Sequence, residues 1–429
     1  MASNATTSAN DFAREAVPEQ KSSSGLHLAL ILIGGTIGFS IFIVASQIGG
    51  ALGYSDGAMA FGIGGMVLGL MGAATSYVGA RSRLSTYLLT EFSFGRDGAK
   101  FVNVAIALSL IGWYSVISNE IGLALQQFIE SSFGLVVPIY VTVIATSLLM
   151  IYVTARGFTG IDRLALILVP AMLAFILYAA FQSYSLERVG EIELSGAFSF
   201  QTAVSAVIGS YIAGVIIQPD YSRFAASTRG AIWSVFIALA VVFPVVMMLS
   251  AMPAMATGNS NLMVVMGVLG LAIPAFILLF IAGWSSNVLC LYSSGLSIAT
   301  MNAKASFAKI IVGIGILGTT IALIPAQSYL IDFLLVLGVI IPPIGAIYVV
   351  NACFIRRFVF DLDGLTKESR FDLSMLAVWA GASAFGFSSQ MGIVGITQIS
   401  SMDSLIFALL ACSVVAIARR KGGNSVSAV

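Results

Sequence analysis

The side chains able to do chemistry in this sequence are few, and most of them interrupt long apolar runs. Glu120 sits well inside one such run. A carboxylate at the middle of a membrane-spanning helix costs roughly 2.5–3.5 kcal/mol on insertion scales, so its presence points to a function or to a compensating partner. Trp113, seven residues earlier, falls on the same helical face. At 1.5 Å per residue the carboxyl lies about 10 Å beyond the indole. That spacing suits a gate, a proton site or a second anchor for a bound molecule. The structural alternative is a protonated or paired Glu120, with Gln127 on the same stripe as partner.

A second group is Ser285, Ser286 and Asn287, which follow Trp284 inside another apolar stretch. Their hydroxyl and amide oxygens are of the kind hard cations accept, although Ser and Asn also hydrogen-bond neighbouring membrane helices. Asp332, and Asp220 with Arg223, lie near the ends of runs, where such residues more often serve helix ends and ion pairs.

Enzyme chemistry finds no support. The single His27 lies at the edge of an apolar run, and the sequence contains no HExxH, CxxC or Walker A pattern. A GxGxxG match at Gly313, Gly315 and Gly318 falls within a spanning helix instead of after a strand, so it is not a dinucleotide site. Cys290, Cys353 and Cys412 are far apart and lack metal-ligand spacing. Any pumping therefore draws on an ion gradient or a partner ATPase.

The elements that must position these residues are membrane helices. The 429 residues are 59% hydrophobic and 9% charged, against roughly 25% charged in soluble domains. Runs of about 20 apolar residues, enough to cross a bilayer, lie near 28–52, 57–80, 101–129, 135–155, 162–182 and 200–218, and again near 231–255, 268–299, 308–324, 329–354, 374–390 and 403–418. With a cytoplasmic amino terminus, 19 of the 20 Lys and Arg residues fall on the inner side, leaving only Arg188 outside. Basic residues resist translocation, so this asymmetry sets the orientation and supports the count of twelve. Residues 1–25 read as a polar cytoplasmic tail, 26–420 as the transmembrane domain and 421–429 as a second cytoplasmic tail.

Within that domain the first span carries Gly34, Gly35 and Gly38, and the sixth carries Gly209 and Gly214 at similar places. Five spans apart, they run in opposite directions. Paired interruptions of this kind predict broken helices around a transport site at the bilayer midplane. The alternative is that these glycines let helices pack closely.

The motifs resemble those of the nucleobase:cation symporter-1 family, in particular its cytosine permease branch. The residues that carry the likeness are TSYVGARSRLSTYLLTEFSFG from Thr75 to Gly95, Gly112–Trp113, GSY at Gly209 to Tyr211, and Asp220 with Arg223 and Phe224. WSSN followed by LYSSGL at Trp284 to Leu296, and IPPIG at Ile341 to Gly345, complete the series in the expected order. The resemblance implies an all-α integral membrane protein of about 12 transmembrane helices. Its core would be a LeuT-type 5+5 inverted repeat over about 26–183 and 198–355, with two C-terminal helices over about 374–420.

It further implies uptake of a small planar heterocycle, with Na+ or H+ as coupling ion and no other cofactor. Trp113 would stack on the ring and Tyr211, beside Ser210, would cover its other face, while Asn287 would bond the ring edge. Gly38, Ile41, Ala282, Ser285 and Ser286 would hold the cation. The expected partners are the substrate, the cation and the lipid bilayer, with no nucleic acid, and no feature specifies an oligomeric state. Three departures shift the expectation away from cytosine itself. Leu110 stands where that branch has a Gln, Val288 and Leu289 replace polar residues, and Glu120 has no constant counterpart. A substrate with fewer hydrogen-bonding edges, or one bearing a positive charge, fits these changes; an amine or amino acid carried through Glu120 is the alternative.

Overall fold

In lipid no water satisfies free amides and carbonyls, so apolar runs of this length must close their hydrogen bonds within themselves as helices. A computed structural model of the chain describes residues 15–18, 39–156, 161–184, 199–257, 266–267, 270–301 and 306–426, and among these every regular element is helical. In chain order they are α1 (Phe39–Ser82), α2 (Thr86–Phe94), α3 (Gly98–Phe133), α4 (Ile139–Ala155), α5 (Ile161–Tyr184), α6 (Phe200–Ile216), α7 (Gln218–Ser222), α8 (Thr228–Ile237) and α9 (Phe243–Thr257). There follow α10 (Ala272–Met301), α11 (Phe307–Ala322), α12 (Leu330–Ile340), α13 (Pro342–Val350), α14 (Leu373–Gln390) and α15 (Ser400–Val426). A wide π turn over Ala238–Val242 joins α8 to α9, so the two form one long rod. Among the described residues six rods are long and apolar enough to cross a membrane, and four shorter helices are apolar as well.

The expected spans map onto these helices with two differences. The first two spans are, as expected, two helices, meeting within α1 at a kink at Gly53, whose φ of 72° and ψ of −168° require glycine. The tenth span, expected as one helix, divides at Ile341 into α12 and α13. Pro342 and Pro343 begin the second piece, where a missing N–H does least harm.

The second difference concerns the sixth span. The expected interruption at Gly209 and Gly214 is absent, because α6 continues unbroken from Phe200 to Ile216. Gly209 serves packing instead. A Cβ there would collide with the backbone of Leu334 on α12, and one on Gly338 would lie 3.7 Å from the Gly209 Cα. The two helices meet backbone to backbone, the close approach that small residues permit in membranes. The matching glycines of the first span, Gly34, Gly35 and Gly38, lie outside the described residues, and the described part of that span begins at Phe39.

Helix α1 packs along α6 and α9, α3 along α10 and α11, and α6 along α12, which leaves α3, α10 and α12 around the candidate residues. Gly315 and Gly318 of the GxGxxG match lie within α11 and face Ile151 and Tyr114, as helix-packing glycines.

Candidate functional site

Trp113 lies in the N-terminal half of α3 and is 6% exposed. Its indole meets the edge of Phe333 on α12, with ring centroids 5.7 Å apart at 77°. Gly112 makes room for this contact, since a Cβ at that position would run into the Phe333 ring. Leu110, nearly one turn before Trp113, is buried as well and presents only hydrocarbon where a polar side chain would offer a bond.

Tyr211 projects from α6 and packs against Phe243 of α9, centroids 5.7 Å apart. Among the described residues no ring contact joins Tyr211 to Trp113; each ring has a different neighbour. Ser210 is buried, and its hydroxyl donates to the Val207 carbonyl of its own helix at 2.7 Å. That bond occupies the one proton the hydroxyl can give away.

Asn287 is fully buried on α10. Its amide Nδ2 donates to Ser118 Oγ at 2.8 Å and to Met150 Sδ at 3.0 Å, while Oδ1 has no partner. Ser118 is five residues beyond Trp113, which at 100° per residue places it about 140° around α3. Asn287 therefore ties α10 to α3 and α4 on a face other than the indole's. Three residues of the expected cation set lie among the buried or half-buried positions of α10. Ala282 is 4% exposed and Ser285 and Ser286 are half-buried. Ile41, 2% exposed, stands at the first turns of α1, which touches α10. Gly38 lies outside the described residues. The hydroxyls of Ser285 and Ser286 are hard oxygen ligands, of a kind that suits a hard cation and not a soft metal.

Glu120 is 7% exposed, and its Oε1 has no hydrogen-bond partner. Gln127 therefore does not donate to that oxygen, and its own Oε1 is unpaired as well. Sequence reasoning missed three residues around Glu120. Tyr329, which caps the start of α12, interacts electrostatically with Glu120. Phe333 stands one turn further along the same helix. Asn119 donates to the Ala322 carbonyl at 2.8 Å and accepts from the Ala326 amide at 3.0 Å, which pins the connection between α11 and α12 to α3. The i, i+4 spacing of Tyr329 and Phe333 was the available signal.

Asp220 and Arg223 hold helix ends, as expected of them. Asp220 Oδ1 accepts from the Thr86 amide at the start of α2, at 2.8 Å. Burial pushes its carboxyl up from the ordinary range, against the opposing effect of Arg223. Two cavities, of about 420 and 680 Å³, lie away from all of these residues. One sits between Phe92, Asn351, Arg356, Glu368 and Arg419, the other between Ser199, Ser205, Ser389 and Ser400.

Residues 16–414 match the family described as permease for cytosine/purines, uracil, thiamine, allantoin. The cytosine permease of Escherichia coli O157:H7 is 27% identical over 353 residues, covering 81% of this chain and 82% of that protein. The cytosine permease of Escherichia coli strain K12 is 26% identical over the same length. Among solved structures, the inward-facing conformation of Mhp1 superimposes with a TM-score of 0.80 at 18% identity, covering 94% of this chain and 93% of that one. Mhp1 in a closed conformation with bromovinylhydantoin bound, described as a nucleobase-cation-symport-1 family transporter, gives 0.78 at 19% identity, covering 96% and 95%. These likenesses establish the transporter fold, with its multi-pass helical membrane domain.

Proposed function

This chain belongs to the family of permeases for cytosine/purines, uracil, thiamine and allantoin, and from that premise we propose that it imports a small planar heterocycle by symport with Na+ or H+. The cargo is a nucleobase such as cytosine or a related pyrimidine or purine derivative, carried by alternating access across a bacterial plasma membrane with both termini cytoplasmic. The observation that carries this reading is the buried Trp113 indole, which meets Phe333 in a T-shaped contact and not face to face. A flat aromatic surface captures a planar ring at little conformational cost.

In this reading Trp113 takes the ring and Leu110 supports an apolar edge. Tyr211, with Ser210 beside it, covers the second face once α6 and α3 approach. Asn287 fixes α10 in register against Ser118 and Met150, so that Ser285 and Ser286 present their hydroxyls toward α1. With Gly38, Ile41 and Ala282, those hydroxyls would hold the coupling cation. Glu120 favours a second reading, a cation symporter of the same fold for an amine or amino acid, because its Oε1 is buried without a partner.

Thermal stability of the purified, reconstituted chain against a panel of nucleobases, amines and amino acids, with and without Na+, separates the two. A ligand that binds only the folded state raises the melting temperature. A Na+-dependent shift with a pyrimidine or purine supports heterocycle symport. Stabilisation by amines or amino acids alone refutes it.

A further inference from the structure

Helices α3 and α12 run in opposite directions and face one another along a stripe. On α3 the stripe is Trp113, Glu120 and Gln127; on α12 it is Phe333 and, one turn earlier, Tyr329. Trp113 meets Phe333 in one layer, and in the next Tyr329 lies close enough to Glu120 to feel its charge without a hydrogen bond to its Oε1. The first layer is aromatic. The second is polar and unsatisfied: Glu120 Oε1 and the Tyr329 hydroxyl are both buried, and neither has a hydrogen-bond partner; two turns beyond Glu120, Gln127 Oε1 is buried and unpaired as well. None of the ion pairs among the described residues includes Glu120.

A buried acceptor without a donor is costly, more so when it carries charge. Here the neighbouring backbone is held in place. Asn119, adjacent to Glu120, bonds both ends of the turn that leads to Tyr329. Glu120 and Tyr329 offer a carboxylate and a phenol, and lack a cationic donor.

We infer that Glu120 and Tyr329 form a second recognition site for a positively charged nitrogen group, carried by the molecule whose ring occupies the Trp113 layer. The inference rests on Trp113 as the ring site. Seven residues of helix separate the two layers, about 10 Å, so the charged group sits at the end of an arm several atoms long. A plain nucleobase has no such arm. The preferred substrate is therefore a heterocycle extended by an alkylammonium or a comparable cationic substituent.

The test uses the full-length chain in lipid nanodiscs and three probes: 1-(3-aminopropyl)cytosine, its neutral counterpart 1-propylcytosine, and propylammonium alone. Hydrogen bonds to charged groups correspond to about tenfold to a hundredfold in affinity. The wild type should bind the amino compound tighter than the neutral one by that factor. Glu120→Gln should lose the preference while binding 1-propylcytosine as the wild type does. Tyr329→Phe, which removes only a hydroxyl, should reduce the preference, and it replaces Glu120→Gln if that variant does not fold. Equal affinity of the two cytosines for the wild type, or a preference that survives in the variants, overturns the proposal. If neither cytosine binds but propylammonium stabilises the wild type and not the variant, the ring reading fails and the acidic site stands. If no charged probe separates wild type from variant, the acidic site falls, whatever becomes of the ring.

Discussion

Replacing Gly209 by Ala tests the packing that carries the site. Elsewhere in a helix this change is mildly favourable, by about 0.5–1 kcal/mol, because Ala restricts the backbone more than Gly does. At Gly209 the added methyl would overlap the carbonyl and Cα of Leu334. Those are main-chain atoms of a regular helix, so no rotamer change relieves the overlap and α6 must move away from α12. Overpacking of this kind costs about 1–3 kcal/mol. Gly62→Ala is the matched control: Gly62 lies inside α1, and a Cβ there meets nothing within 4 Å. The propensity gain is common to both helix positions, so the two variants should differ by the overpacking cost, roughly 1–3 kcal/mol. Scanning fluorimetry in detergent reads this as a melting temperature several degrees lower for Gly209→Ala than for Gly62→Ala. Because Phe333 adjoins Leu334, saturable uptake should fall in the same variant. Equal melting temperatures for the two variants would refute the claim that backbone contact fixes α6 against α12.

Three further outcomes follow from single contacts. Trp113→Ala should abolish saturable uptake while the protein remains in the membrane; unchanged transport kinetics would remove Trp113 from the ring site. Asn119→Ala deletes the bonds to Ala322 and Ala326, a loss of about 1–3 kcal/mol, and amide exchange over residues 323–329 should quicken, whereas unaltered exchange would show that the turn holds itself. Asp97 is held at a pKa of about 2 by hydrogen bonds from Lys100 and Arg370. A carboxylate with a lowered folded pKa stabilises above its ordinary value near 3.8 and loses that contribution as pH falls through about 4 toward 2. Exchange in the 357–372 segment should rise across that window and should lose this pH step in Asp97→Asn; a step that persists in the variant would assign it to another group.

The number and order of spanning runs were legible because lipid enforces apolar length and the basic residues punctuate it. Breaks were harder to read, since glycine has two opposite uses. Gly53 interrupts a helix through a positive φ, while Gly209 keeps one straight and lets a neighbour come close. Only the partner, 125 residues away, distinguishes them. Trp113 and Glu120 could be placed on one face from spacing alone. Their counterparts Phe333 and Tyr329 are ordinary members of an apolar run, and nothing local shows which of its faces meets α3. Asn287 illustrates the same limit: a polar residue in a span must find something, and its choice of Ser118 and Met150 depends on how three helices are rotated.

The segment before α14 is laced to the junction between α2 and α3. The amides of Arg96, Asp97 and Gly98 donate to the carbonyls of Ser369 and Arg370, and the Asp372 amide donates to the Phe94 carbonyl. Gly95, at φ 83°, lets the two backbones come this close. Side chains add to it: Arg370 binds Asp97, Arg356 binds Glu368 and the Phe92 carbonyl, and Arg419 of α15 clasps Asp372. A displacement at the foot of α3 is thereby transmitted to the last two helices as to a handle fixed on the same shaft. Deleting those helices would strip the α2–α3 corner of its outer brace, so a shortened chain is a different machine from the whole one.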